Sequence, residues 1–414
     1  MAEEDLMHRT TQDPHRLRLS TLSRRQLLHS LVCGCGAMAV GACISDTSTP
    51  LKPGQRPTLD SLEGGLWDIM DRAEEEIRFS PLRMTDEGLN RYIDDIACKL
   101  AGKHCSNMRV YIMRTPYFNA SMAPNGMMQV WSGLLLRCQN EAQLAAVLGH
   151  EIGHYIKRHT LQRFEQAQNA SAVATFFGVL IAVAGGGALA NLPQLMALSS
   201  IFAFSREQER EADGIGLELM ADAGYAPAQA SQLWKGLVEE REAGKTAEEV
   251  EEQKRNRDVF FATHPAPEER AQSLALQAAG FTGSASFVGR REYMAQARTF
   301  RDVMMEDELR LHQFSRTLAI IGRMAITDPL DPDVHYYRGE VYRSRNEGSD
   351  PDLAIASYSR ALELADDHAG AWRGLGIVHR RAGRNGKSVD AFRRYLELAP
   401  DASDRLMIQS YLGA

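Results

Sequence analysis

Apolar residues recur at helical spacing from Asn140 to about Leu161 and predict a helix over this segment. Asn140 followed by Gln143 three residues later is a typical helix start, because such side chains bond the backbone N–H groups of the first turn. The run Leu144–Leu148 predicts that this helix is buried. Burying a polar side chain costs free energy unless it is bonded to a partner. His150 and Glu151, which come just after this apolar run, therefore indicate a functional site.

A second apolar run covers about 19 residues, from Ala172 to Ala190. Its length matches the ~20 residues that cross a bilayer, so a membrane span is one interpretation. Gly185–Gly187 interrupts the run and favours helices that are buried or only touch a membrane. The pattern alone leaves both interpretations open.

The C-terminal third has a repeating pattern. Tyr336 and Trp372 begin two similar blocks 36 residues apart, and Leu318–Pro329 matches the second helix of a degenerate preceding repeat. The order of aromatic and small residues is that of tetratricopeptide repeats. We therefore predict an α-solenoid over residues 281–414, whose concave face binds a protein segment. A plain helical tail is the alternative, and the repeat period disfavours it.

The N-terminal region has the pattern of an export signal over residues 1–42. Arg24 and Arg25 precede a weakly apolar, glycine-rich run, as in twin-arginine signals. Leu27 stands where such signals prefer phenylalanine, so ordinary Sec export stays open.

The end of this run resembles a lipobox, with Cys43 as the residue that would carry lipid after cleavage. A membrane-spanning anchor is the alternative, but the run is shorter than the ~20 apolar residues required. Ile44 after the cysteine favours the outer over the inner membrane. Residues 43–60 are predicted to be a flexible tether.

His150, Glu151 and His154 form an HExxH motif in the first predicted helix. At about 100° per residue, positions four apart lie within about 40° of each other on one face. His150 and His154 can therefore bind one metal ion, while Glu151 can reach a water on that metal. The alternative is a solvated face with two unrelated histidines, which the apolar run before the motif disfavours.

A zinc site of this kind needs a third protein ligand. Glu209 and Asp213 lie four residues apart and share one helical face. Glu209 could coordinate the metal, and Asp213 could accept a hydrogen bond from a ligating histidine. A solvated charged face is the alternative. His159, nine residues past His150, is predicted to be a surface residue or a neighbour of a ligand, and not a ligand itself.

Together the motifs resemble the HtpX-like zinc metallopeptidases over roughly residues 61–280. Four segments carry the resemblance in the right order: 119–135, His150–His154, Glu209–Asp213 and Thr263–Arg270. The resemblance implies a zincin-type metallopeptidase domain over 61–280. The expected fold class is mainly α with a small β-sheet, followed by the solenoid.

The resemblance also implies roles for individual residues. One Zn²⁺ per chain is bound by His150, His154 and Glu209, which lowers the pKa of a water to around 7. Glu151 is the catalytic base that takes the proton, and Asp213 orients a ligand.

In this family a strand just before the catalytic helix pairs with extended substrate. The matching residues are Asn119, Ala120, Val130 and Trp131, and we expect substrate to add near Met127–Trp131. Such pairing needs an unfolded or flexible segment, so misfolded envelope proteins are the expected substrates.

With its C-terminal repeats the chain is similar to the periplasmic BepA-like branch. There, a histidine in the matching His-Pro motif can occupy the metal's open position and hold the enzyme latent. The matching residue is His264, and Arg270 ends the motif, so both are candidate switch residues. An ordinary loop histidine before Pro265 is the alternative. The branch implies outer-membrane β-barrel precursors and their assembly machinery as substrates and partners.

Composition adds two limits. A net charge of −7 argues against nucleic acid as a partner. After export and lipidation three cysteines remain, and a Cys98–Cys105 bridge is open while Cys138 is left over.

The sequence thus predicts a lipid-anchored periplasmic zinc endopeptidase with a tetratricopeptide adaptor. The rival from another class is a chaperone or assembly scaffold with a latent protease site. A solute-modifying metallohydrolase is disfavoured by the solenoid.

Overall fold

The computed structural model describes residues 52–58, 60–166, 204–244, 267–283 and 285–412. The elements of the first two ranges are α1 (Leu62–Arg78), α2 (Glu87–Ala101), a 3₁₀ helix (Gly102–Asn107), β1 (Arg109–Met113), β2 (Ala120–Met122), β3 (Met127–Trp131), α3 (Ser132–Arg137), α4 (Glu141–Ile156) and α5 (His159–Gln166). The later ranges hold α6 (Arg206–Asp222), α7 (Ala228–Ala243), α8 (Pro267–Ala278), α9 (Arg290–Leu309), α10 (Phe314–Thr327), α11 (Pro332–Arg345), α12 (Asp350–Leu364), α13 (Ala369–Arg381), α14 (Asn385–Leu398) and α15 (Arg405–Tyr411). The predicted class, mainly α with a small sheet, is confirmed.

Several predicted features lie outside the described residues. These are the export signal over 1–42, Cys43, most of the tether over 43–60, the apolar run 172–190 and His264. Within the described ranges, none of the helices combines the length and apolar character that a bilayer crossing demands.

The small sheet has β3 at its centre. β3 runs parallel to β1 and antiparallel to β2, and the strand order is β1–β3–β2. Val130 pairs with both Ile112 and Ala120, and the Trp131 N–H donates to the Asn119 carbonyl. The expectation that substrate adds near Met127–Trp131 is therefore wrong, because the backbone groups of that strand are already bonded on both sides.

β2 is an edge strand of this sheet, and it packs against α4. Ladder hydrogen bonds join residues 119 and 123 to β3, so the backbone groups of Ala120 and Met122 point away from β3 by the alternation of antiparallel pairing. Of the four residues predicted to contact substrate, Ala120 is the one on the edge strand. Val130 and Trp131 lie in the central strand, and both are fully buried.

Helices α4 and α6 approach each other closely through small residues. A Cβ atom placed on Gly216 would lie 2.9 Å from the His150 backbone nitrogen, and one on Gly149 would lie 3.1 Å from the Gly216 carbonyl oxygen. Both distances leave no room for a larger side chain unless the helices separate. Because the two helices approach so closely here, the N-terminal turn of α6 lies beside the histidines of α4.

A continuous apolar core extends from α2 through the sheet, α4, α6 and α7 to α9, α10 and α11. Met304, Met305 and Ile320 belong to it, so the helices that follow residue 281 pack on the same core. The boundary at 280/281 stays a prediction.

A buried charged cluster joins the same parts of the chain. Arg137 on α3 donates from Nε to Glu240 on α7 at 2.7 Å and from Nη2 to both oxygens of Glu308 on α9 at 3.1 Å. Arg316 and Arg323 on α10 also contact Glu240. Burial alone would raise the pKa of Glu240, but the three guanidinium groups hold it below its ordinary value.

Helices α11–α14 form the predicted helix pairs of the solenoid. The Tyr358 ring lies between α11 and α13, where a Cβ on Gly339 or Gly374 would overlap it, and Phe392 packs in the same way on Gly376. Ala361 is fully buried, as expected of a close-packing position. The repeat pattern thus predicted the packing as well as the helices.

The three cysteines within the described residues form one disulfide and leave one free thiol. Cys98, near the end of α2, forms a disulfide with Cys105 in the 3₁₀ helix, while Cys138 is a buried free thiol. This pairing was one of the interpretations that the sequence left open.

Candidate metal centre

The HExxH motif lies on α4, a helix that begins where the sequence predicted. The Asn140 side chain accepts from the Gln143 backbone N–H at 2.9 Å. His150 and His154 are both 2% exposed, and their Nε2 atoms are 3.0 Å apart. Helical spacing and burial therefore give two imidazole nitrogens that point to one place.

Glu209 comes from the first turn of α6. Ser205 caps this helix and forms a reciprocal capping box with Gln208, which fixes the start of the helix. One carboxylate oxygen of Glu209 is 3.6 Å from His150 Nε2, and the other is 3.5 Å from His154 Nε2. One ligand atom from each of the three residues lies within 4.8 Å of the others. A single ion could bind all three.

The chemistry of these donors fits zinc. Two imidazoles and one carboxylate are the protein ligands of a known class of catalytic zinc site, which leaves one position for water or substrate. Glu151 supplies an independent observation: its Oε1 atom is buried and has no hydrogen-bond partner among the described residues. A buried carboxylate oxygen beside three converging donors is suited to accept from a water bound there.

The environment of Glu151 favours the protonated form in the absence of a cation. Burial raises the pKa of Glu151 well above its ordinary value, and the nearby charge of Glu209 raises it further. The backbone N–H of Met122 donates to the carboxylate and opposes that rise. The carboxylate of Glu151, which extends from α4, therefore lies against the outer edge of β2.

Asp213 and Arg270 lie behind His150. Asp213 Oδ1 is 2.8 Å from His150 Nδ1, and Arg270 Nη2 on α8 is 3.0 Å from the same nitrogen. Burial alone would raise the pKa of Asp213, but the charges of Arg270 and His150 hold it at about 2. The guanidinium also lies 4.0 Å over the Trp234 ring. The ionised Asp213 can accept a hydrogen bond from the Nδ1–H of His150, which leaves the Nε2 lone pair free to bind a metal.

The structure decides between the two interpretations of His159. It is fully buried, with Nδ1 2.8 Å from His154 Nδ1, so it is a neighbour of a candidate ligand and the surface interpretation is wrong. The prediction assumed one helix to about Leu161, whereas α4 ends at Ile156 and α5 begins at His159. Arg158 between them has a φ of 58°, a left-handed conformation that interrupts the helix.

The structure brings together His150, Glu151, His154, Glu209, Asp213 and Arg270. Sequence reasoning missed four further residues around them: the edge-strand residue Met122, Phe204 stacked on His154, Glu211 beside His159, and Glu63 paired with Arg158. Local patterns carry no signal for these contacts, because each partner is distant in sequence.

Comparisons with known proteins agree with this geometry. The family described as "Peptidase family M48" matches residues 83–278, and a family of tetratricopeptide repeats matches residues 347–403. The first range contains all six residues of the centre.

Three curated relatives have informative names. The mitochondrial metalloendopeptidase OMA1 of Schizosaccharomyces pombe is 31% identical over 169 residues, which are 40% of this chain and 45% of that protein. A putative beta-barrel assembly-enhancing protease of Vibrio cholerae is 27% identical over 270 residues, 63% of this chain and 52% of the relative. Metalloprotease LoiP of Escherichia coli K12 is 30% identical over 172 residues, 41% of this chain and 61% of the relative.

The chain thus spans about half the length of the curated relatives that it matches. The predicted resemblance to the zinc metallopeptidases, with C-terminal repeats, is confirmed. Residues 83–278 thus match peptidase family M48, and residues 347–403, which follow, match tetratricopeptide repeats.

Proposed function

We propose that this protein is a zinc-dependent endopeptidase of the bacterial envelope that cleaves unfolded or misfolded proteins. One observation carries the proposal: His150, His154 and Glu209 converge in a buried centre, and beside it lies Glu151 Oε1, which has no hydrogen-bond partner in the part of the chain that the structure describes. The Met122 backbone N–H donates to the Glu151 carboxylate, so the edge strand β2, which is proposed to hold an extended peptide, lies beside the centre.

His150, His154 and Glu209 would hold a zinc ion, which would supply Lewis-acid polarisation of a carbonyl and lower the pKa of a water to about 7. Glu151 accepts a proton from the attacking water at Oε1 and later donates it to the leaving amine nitrogen. Asp213 accepts from His150 Nδ1 and keeps the Nε2 lone pair directed at the centre. Arg270 holds Asp213 ionised and in position.

The substrate strand is expected on β2 rather than on β3. The outward backbone groups of Ala120 and Met122 can pair with a peptide in extended conformation, and Met122 already contacts Glu151. A folded protein does not offer such a strand, so flexible, unfolded or stalled chains are the proposed substrates. The name of the Vibrio cholerae relative supports outer-membrane β-barrel precursors among them.

The compartment is proposed to be the periplasm. Disulfides persist in oxidising compartments, and the Cys98–Cys105 bridge supports export. The twin arginines and the lipobox-like end of the leader support a lipid anchor at Cys43, with the outer membrane favoured by Ile44.

The anchor has a direct test. Cys43→Ser is expected to abolish incorporation of a palmitate analogue in cells, because the thiol that would be acylated is gone. Cys33→Ser, in the predicted leader, is the matched control and should label like the wild type. Equal labelling of the Cys43→Ser protein would contradict the lipid anchor and leave the peptidase proposal untouched.

The solenoid is proposed to bind a protein segment that brings substrates or assembly machinery to the peptidase domain. A groove runs along α9, α11 and α13, and its lining includes Tyr336, Tyr337, Arg343 and Arg373. This groove also supports the second candidate function, a chaperone or assembly scaffold that acts mainly through the repeats.

The peptidase proposal is tested by metal content and metal removal. The purified protein should contain about one zinc per chain and cleave a disordered protein. A chelator should abolish cleavage, and added zinc should restore it. Glu209→Ala should lose the metal, whereas Glu207→Ala, an exposed neighbour on the same helix, should keep it. Cleavage that persists after the metal has been removed would refute the proposal.

A further inference from the structure

His154 and His159 lie side by side on either side of the turn that separates α4 from α5. Their Nδ1 atoms are 2.8 Å apart, and both rings are buried. The Nε2 atom of His154 faces His150 and Glu209. His154 therefore presents Nε2 to the centre and Nδ1 to His159.

The direction of these hydrogen bonds follows from the chemistry of imidazole. A neutral imidazole has a proton on one nitrogen, and a ligand nitrogen must offer a lone pair. With Nε2 of His154 as the ligand atom, its proton is on Nδ1 and is donated to His159 Nδ1. The proton of His159 is then on Nε2, which donates to Glu211 Oε2 at 3.0 Å.

We propose that His159 and Glu211 form a positioning relay that holds the ring orientation and the metal-binding tautomer of His154. Histidine ligands usually donate their second N–H to a carboxylate, a carbonyl or a water. Asp213 accepts this hydrogen bond directly from His150. For His154 the acceptor is a second imidazole, His159, which in turn donates to the carboxylate of Glu211. The inference rests on the proposed zinc site, and neither relay residue is itself a ligand.

The turn before His159 is held in place from another helix. Arg158 adopts a φ of 58°, which residues with a side chain rarely adopt. Its guanidinium donates to both carboxylate oxygens of Glu63 on α1, at 3.1 and 2.6 Å. Lys157 Nζ pairs with the second oxygen of Glu211. Arg158 thus holds the turn that precedes His159, and Lys157 holds the carboxylate of Glu211.

A pair of substitutions at His159 separates hydrogen bonding from packing. His159→Phe keeps a planar ring and removes the acceptor, so zinc affinity measured by competition with a chromophoric chelator should fall about 10- to 100-fold. His159→Asn places an oxygen near the position of Nδ1 and should recover most of the affinity. The melting temperatures of the metal-free proteins should stay close to that of the wild type.

Glu211 offers a second, independent arm. Glu211→Ala should also weaken zinc binding, by less than His159→Phe, while Glu218→Ala, exposed two turns later on α6, should not. Wild-type affinity in His159→Phe would overturn the relay and leave the zinc site standing. Equal loss in the Phe and Asn variants, with lower melting temperatures of both metal-free proteins, would overturn it in favour of packing. A wild-type protein that binds no zinc would overturn the proposed function itself.

Discussion

Glu151→Gln is expected to keep the bound zinc and to lower kcat/KM for a disordered substrate by about two to four orders of magnitude. The amide has nearly the shape of the carboxylate, so the three ligands of the centre are undisturbed. It cannot accept a proton from the attacking water, because its nitrogen is not basic. The measurements are zinc content, melting temperature and cleavage rate at matched zinc loading.

Glu207→Gln is the matched control, since that side chain is 79% exposed on the neighbouring helix. A Glu151→Gln protein within tenfold of the wild-type rate would contradict the assignment of the base. The same variant also distinguishes the two candidate functions in cells. If cells with the Glu151→Gln protein assemble their envelope normally, the scaffold function is favoured. If the variant binds substrates without cleaving them, the peptidase function is favoured.

Arg137→Ala is expected to lower the free energy of unfolding by about 3–5 kcal/mol. The substitution leaves the buried carboxylates of Glu240 and Glu308 without the guanidinium that bridges them. Arg316 and Arg323 still contact Glu240, whereas the fully buried Glu308 retains a 3.9 Å contact with Arg316, so the greater loss falls on Glu308. Urea denaturation followed by circular dichroism measures the change.

The matched control is Arg114→Ala. Arg114 also pairs with a carboxylate on α9, Asp307, but its side chain is 41% exposed. Exposed pairs contribute about 0–1 kcal/mol, so the control should change little. Equal midpoints for the two variants would show that the buried cluster does not stabilise the contact of α3 with α7 and α9.

The sequence by itself determined the features that depend on residues close together in the chain. The spacing of His150 and His154 follows from the helical repeat alone. The cap at Asn140 is a local hydrogen bond, and its helix begins where this residue predicts. The solenoid follows from a repeat period, since each helix pair contacts mainly the next.

Only the tertiary structure decided the features that depend on distant partners. Glu209 had two interpretations until α6 packed on α4 through Gly216, which carries its carboxylate to the histidines. The expected substrate strand was wrong, because strand order depends on which segments pair and not on the pattern of any one of them.

His159 shows the same limit most clearly. Helical spacing placed it on the far side of one long helix, yet the helix is interrupted at Arg158 and His159 is buried against His154. The partner that stabilises this turn, Glu63, lies 95 residues earlier. Propensities and periodicity describe the energy of a segment by itself, whereas the conformation of Arg158 is stabilised by an ion pair that exists only once the chain has folded.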